Sequence, residues 1–157
     1  MKKYLEPTAT ESLVRVLVPV FGVFAAFYLL MLGSEVLSLV SLVVSIFVFW
    51  KSKRNLLLKD TRYPSNEINY KNCKKAAVIH GWGTASAIEM VRLEFETATS
   101  LGSWGELITI LFTSSGIYIN SRPSPTKRPS IVTLGKNRLN EQKVVDMLKG
   151  SSLTSET

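Results

Sequence analysis

Two charge-free apolar blocks, residues 16–32 and 36–50, stand almost end to end near the N-terminus, with only Gly33, Ser34 and Glu35 between them. A bilayer core roughly 30 Å thick demands about 20 apolar helical residues, and little else in a chain does. With so short a connector the two helices must run antiparallel, which puts both chain ends on one side. The second block has about 15 residues and would reach roughly 22 Å as a helix. The Gly33–Glu35 corner, or Trp50 and the Lys51, Lys53 and Arg54 cluster snorkelling at the interface, makes up the difference. A soluble hairpin this apolar on every face would need a large surrounding core, and residues 51–157 are too few to build one around it.

Lys2, Lys3 and Arg15 precede the hairpin and Lys51, Lys53, Arg54, Lys59 and Arg62 follow it, while the connector holds one acid and no base. Basic flanks stay cytoplasmic, so both termini are expected in the cytosol. The first block is longer than the apolar region of a signal peptide and no A-x-A site follows it; it reads as a signal-anchor that keeps Met1. The expected organisation is a cytosolic tail over residues 1–12, a two-helix transmembrane hairpin over 13–54, a cytosolic β-rich domain over 55–150 and a disordered polar tail over 151–157.

Inside the hairpin, Ser38, Ser41 and Ser45 share one face of the second helix, and Gly22 and Ala26 form a small-xxx-small pair on the first. Such residues let helix backbones approach and let serine hydroxyls bond across the contact. They pack the hairpin against itself or assemble copies laterally. No ionisable residue sits in the central part of either helix, which argues against a proton relay or an ion-coupled transporter.

Beyond residue 55 the pattern turns to strands. Residues 91–97 alternate, with Val91, Leu93 and Phe95 on one face and Arg92, Glu94 and Glu96 on the other, as in a half-buried antiparallel strand. Glu89, Glu94 and Glu96 read as a solvated face rather than as an acid/base pair. Residues 106–113 and 116–121, flanking Ser114-Ser115, read as a β-hairpin. Residues 67–70, 76–80 and 130–134 are further short strand candidates. Prolines 123, 125 and 129 predict an exposed basic loop over residues 122–129. A helix is expected to start at Asn140 as N-cap, stapled by Leu139 and Val144 and carrying an apolar stripe of Val144, Val145 and Leu148, and to end near Lys149-Gly150.

The run from Glu67 to Ile79, the strands within residues 108–120 and 131–134, and the helix over 140–149 resemble the parts of a bacterial pleckstrin-homology-like (PH-like) domain. Small bacterial membrane proteins join such a domain to a short transmembrane hairpin. The resemblance implies a membrane α-hairpin plus an α+β domain, a bent antiparallel sheet or partial barrel plugged by one C-terminal helix, at a bacterial inner membrane. It transfers no catalytic residue, since such domains act as binding or assembly modules. The Gly81–Ser86 segment is richer in glycine than the family pattern needs.

The segment A-A-V-I-H-G-W-G at residues 76–83 also resembles the strand and oxyanion loop of α/β-hydrolases. No G-x-S-x-G elbow follows it, His80 is the sole histidine, and too little chain remains for the other βα units. Gly81 and Gly83 therefore read as turn or bulge residues, and Trp82 as a surface or interface aromatic. Cys73 stands alone, so neither a disulfide framework nor a cysteine metal site is expected. No P-loop or dinucleotide fingerprint occurs. No cofactor and no enzymatic activity are expected.

The net charge of +7 is concentrated in residues 51–75 and 122–143. Three readings apply: positive-inside topology for Lys51–Arg54, anionic headgroup contact through Lys71, Lys74, Lys75, Arg122, Lys127 and Arg128, and nucleotide or nucleic-acid binding with Trp82, Trp104, Tyr63 and Tyr70 as stacking platforms. Nothing interleaves these aromatics with bases on one surface, so nucleic acid is not an expected partner. The candidate binding surface is Lys71, Lys74, Lys75, Trp82, Arg122, Lys127 and Arg128. The expected function is a non-enzymatic membrane protein whose cytosolic domain binds a protein partner or anionic lipid headgroups and assembles as a homo-oligomer through the hairpin. The alternative is a membrane-perturbing effector whose domain senses a small anionic ligand such as a nucleotide.

Overall fold

A capping box opens the first element. The Thr8 hydroxyl accepts from the Glu11 N–H, and the Glu11 carboxylate accepts from the Thr8 N–H at 2.8 Å, so two orphan donors of the helix start are satisfied together. In this computed structural model, which describes residues 3–100, 103–125, 127 and 135–154 (the last four by backbone alone), that start leads into α1 (Ala9–Met31). Gly33, at φ +77°, turns the chain into α2 (Glu35–Asn55). Residues 5–57 form one compact unit; residues 1–4 together with 58–157 form a second.

The two helices of the first unit are long and apolar enough to cross a membrane, with mean hydropathy 2.2 and 1.7. A buried soluble hairpin would hide these side chains, yet only 6% and 17% of the two spans lie inside the protein. Phe21, Phe24, Phe27, Met31, Val36 and Ile46 all stand exposed. Apolar surface of that extent does not persist in water on a monomer, so it points to membrane association.

The second unit is an open five-stranded antiparallel sheet in the order β1-β5-β4-β3-β2, made of β1 (Lys59–Asp60), β2 (Gly83–Ile88), β3 (Arg92–Glu96), β4 (Glu106–Thr113) and β5 (Gly116–Pro123). The alternation expected in β3 holds for Leu93 and Phe95, which are buried, but Val91 precedes the strand and is 54% exposed. The β4–β5 hairpin turns at Ser114-Ser115 as its sequence predicts, pairing Glu106 with Pro123 and Thr113 with Gly116. Leu93, Phe95, Ile108, Ile110, Phe112, Ile117 and Ile119 form the sheet side of one core, against Tyr70, Cys73, Ala76 and Ala77 of α3 (Glu67–Ile79) and Val144 and Leu148 of α4 (Lys136–Thr154).

Several expectations are corrected here. Residues 67–70 and 76–80 are not strands but lie in or directly after α3. Asn66 caps its start by accepting from the Asn69 N–H at 2.8 Å, and Glu67 pairs with Lys71 one turn on at 2.7 Å; both are helix signals. The C-terminal helix starts at Lys136 rather than after Asn140. Asn140 therefore lies one turn inside, buried with Val144 and Leu148 in an i, i+4, i+8 stripe, and Leu139 is exposed instead of stapled. The helix also runs past Gly150 to Thr154, into the segment read as a disordered tail. The strand expected over residues 130–134 lies outside the described residues.

Candidate functional site

The expected cationic surface does not assemble as one patch. Lys71, Lys74 and Lys75 are exposed on α3, but Trp82 belongs to the core and Arg122 is buried on the other face of the sheet, 8% and 1% exposed. Trp82 sits at the exit of α3, its backbone N–H donating to the Ala77 carbonyl at 2.8 Å and its ring 6.4 Å from that of Phe95. Arg122 belongs to β5, paired with Leu107, because Pro123 and Pro125 stand at and beyond the end of the ladder and do not break it. Residues 122–124 of the expected exposed loop are therefore buried, and residues 126, 128 and 129 lie outside the described residues. Lys127 donates to the Thr97 carbonyl at 2.8 Å, and Arg128 lies outside the described residues.

On the sheet face opposite the helices, Arg122 joins a polar network that sequence reasoning treated as solvated. Its guanidinium donates to Thr109 Oγ1 at 3.0 Å and Asn120 Oδ1 at 3.3 Å. Thr109 in turn donates to Glu94 at 3.1 Å, and Arg92 pairs with the same Glu94 oxygen at 2.7 Å. At the end of the sheet the buried Glu106 carboxylate accepts from Thr97 Oγ1 at 2.6 Å and from Ser103 Oγ. Hydroxyl donors that satisfy a buried carboxylate hold strand ends together. The signal available in the sequence was parity: Glu94, Thr109, Asn120 and Arg122 share one side of the pleat once the hairpin register is set.

Two exposed features remain. The first is the outward face of α3, where Lys71, Lys74 and Lys75 alternate with Ile68, Val78 and Ile79, the three apolar side chains being 62%, 81% and 56% exposed. Tyr70, Cys73, Ala76 and Ala77 hold the opposite face in the core. Burial pushes the Cys73 thiol up to about 12, so it stays a packed, unreactive group. His80, just past the helix, is held below its ordinary value by partial burial and then by the nearby Lys143 charge.

The second is a cleft of about 700 Å³ between the loop 60–65 and the β4–β5 turn, lined by Asp60, Arg62, Tyr63, Ser65, Met90 and Phe112 among others. Arg62 and Met90 both have positive φ, +65° and +53°, where a side chain costs about 1–2 kcal/mol. Thr61, by its N–H and hydroxyl, and Tyr63, by its carbonyl, are tied to Ile117 on either side of Arg62. Lys3 reaches the same turn, donating to Ser115 Oγ at 3.0 Å.

Within the hairpin unit, Ala26, Ser38 and Ser45 are buried between α1 and α2. Ser41 donates to the Gly22 carbonyl at 2.8 Å and Ser45 to the Ser41 carbonyl at 2.7 Å. Among the described residues no group of three or more His, Cys, Asp or Glu is placed to hold a metal ion. Comparison with protein-family models, with curated proteins and with solved structures finds no match to the chain.

Proposed function

We propose that the chain is a non-enzymatic, membrane-anchored binding module whose α3 face engages anionic lipid headgroups. One observation carries this reading: the exposed half of α3 mixes three lysines, one of them paired with Glu67, with three exposed apolar side chains. Interfacial helices have this composition, the apolar groups entering the headgroup boundary and each lysine adding about 1 kcal/mol near an anionic surface. The charge around the hairpin supports cytosolic termini at a bacterial inner membrane. The β2–β5 meander closed by α4 supports a PH-like module. The small-residue contact between α1 and α2 supports a hairpin packed against itself.

The test uses the full chain in nanodiscs with an environment-sensitive fluorophore on Val78→Cys. Emission shifts blue when phosphatidylglycerol replaces part of the phosphatidylcholine, and the shift is lost on Lys71→Glu/Lys75→Glu. Equal emission in both lipids overturns lipid engagement and leaves a protein as the partner of that face.

A second reading, sensing of a small anionic ligand, is favoured by the cleft holding Arg62. Two long side chains kept in strained backbone at one cleft are the kind of feature that a binding role retains.

A further inference from the structure

The cleft between the loop 60–65 and the β4–β5 turn gathers three kinds of side chain in one place. Arg62 supplies a cation. Its backbone N–H donates to the Asp60 carboxylate at 2.8 Å, while its exposed guanidinium engages no group among the described residues. Asp60 supplies an acceptor, and Tyr63 and Met90, both half-buried, supply an aromatic ring and a thioether. The walls are fixed without a ligand. Thr61 and Tyr63 are both bonded to Ile117, and a side chain at Gly116 would stand 3.0 Å from the Tyr63 carbonyl oxygen. The loop is therefore clamped flush against the turn, which lowers the ordering cost of binding there.

We infer that this cleft is a site for a nucleoside monophosphate, which rests on the reading of the cleft as an anion site. Size and charge choose the ligand class. A space of about 700 Å³ matches a whole small-molecule site, and a bare phosphate fills only a corner of it. The charged lining is one guanidinium and one carboxylate, with Lys3 at the rim on Ser115, a balance that suits a single phosphate better than a polyphosphate. Each part of a nucleotide then has its own counterpart. A guanidinium takes two phosphate oxygens at once. A carboxylate accepts from ribose hydroxyls, as it does in dinucleotide sites. An aromatic ring and a thioether pack against a flat base. A phosphate alone uses only the first of these, and a nucleoside alone only the other two.

Isothermal titration of the full chain in detergent compares AMP with adenosine, glycerol 3-phosphate and the dideoxy analogue of AMP that lacks both ribose hydroxyls. AMP binds at least tenfold more tightly than adenosine or glycerol 3-phosphate, each of which carries only part of the recognised chemistry. Arg62→Gln brings AMP down to the level of adenosine. Asp60→Ala abolishes the preference for AMP over its dideoxy analogue while Arg62 still holds the phosphate. The ligand series on the unaltered chain decides the matter by itself should either variant fail to fold. Glycerol 3-phosphate within twofold of AMP overturns the nucleoside and leaves the anion reading standing, with a lipid headgroup as the source. Adenosine as tight as AMP, or no binding of either phosphate ester, overturns the anion reading together with the proposal. Unchanged AMP affinity in a folded Arg62→Gln chain removes the cleft as the place of binding.

Discussion

The Ser41 hydroxyl donates to the Gly22 carbonyl across the helical hairpin at 2.8 Å, and Gly22 is the position where a side chain would strike Ser45. Close approach and hydrogen bond are one device: without a Cβ at residue 22 the α2 backbone comes near enough for a serine hydroxyl to reach a main-chain oxygen.

Gly22→Leu removes that approach outright, because Ser45 cannot swing clear without giving up its bond to the Ser41 carbonyl. It should lower the thermal aggregation midpoint in detergent by several degrees. Ser41→Ala keeps the volume and loses only the hydroxyl, worth about 0.6 kcal/mol in such settings, and should cause the smaller shift. Equal midpoints for Gly22→Leu and the wild type would show that this face does not pack the hairpin.

Arg122→Ala should destabilise the domain by about 1.5–3 kcal/mol, the range for losing hydrogen bonds to a charged group. Lys71→Ala and Lys75→Ala should stay within about 0.5 kcal/mol, as exposed substitutions do. Chemical denaturation of the three full-length variants in detergent separates them. Similar midpoints for Arg122→Ala and Lys75→Ala would mean that Arg122 is not the buried partner of Thr109 and Asn120.

What was readable in the sequence follows the range of the forces involved. The two membrane-length helices and the β4–β5 hairpin are local in cause, composition in one case and period-2 alternation around a short turn in the other, and both stand as expected. α3 was equally local: Asn66, the Glu67–Lys71 pair and the apolar positions 70, 73, 76 and 77 spell a capped helix. Splitting the run into two short apolar pieces hid that period. Arg122 and Trp82 were beyond local reading. A strand continuing through Pro123 and an indole folded under the sheet depend on register and on partners far along the chain. Asn140 shows the opposite error, a good cap residue overruled because burial against Ser121 places it inside the helix, its amide donating to Ser121 Oγ at 3.4 Å.

Sidedness has a direct readout. Ser34→Cys in the connector should label with a membrane-impermeant maleimide in intact cells, and Lys75→Cys on exposed α3 should label only after lysis. Native Cys73 should stay silent in both, because it is fully buried and its thiol is pushed up to about 12; its silence therefore carries no information on topology. Labelling of Lys75→Cys before lysis would place the sheet domain outside.

Burial raises the Glu141 carboxyl above its ordinary 4.5, against the smaller opposing effects of the Ser121 N–H and Lys59. A carboxyl raised on folding binds its proton more tightly in the native state. Its stabilisation is complete below 4.5 and is lost as pH rises through the higher folded value. Glu141→Gln removes that dependence. The stability difference between variant and wild type should therefore grow in the variant's favour from pH 4 to pH 7, read by urea denaturation at each pH. A difference constant over that range would show that Glu141 does not titrate anomalously.

The strained pair at the cleft gives the sharpest test of ligand sensing. Arg62 holds φ +65°, where a non-glycine residue costs about 1–2 kcal/mol, while glycine there loses about 0.5–1 kcal/mol in chain entropy. Arg62→Gly should therefore raise the domain's stability by up to about 1 kcal/mol while removing the cleft's guanidinium. If the cleft takes an anion, ATP at millimolar concentration should raise the melting temperature of the full-length wild type in detergent and leave Arg62→Gly unmoved. Inorganic phosphate, run beside it, shows whether the phosphate alone suffices. A stabilised variant with equal ATP shifts in both proteins would make the strain a feature of the loop alone, and the cleft would lose its claim as a ligand site.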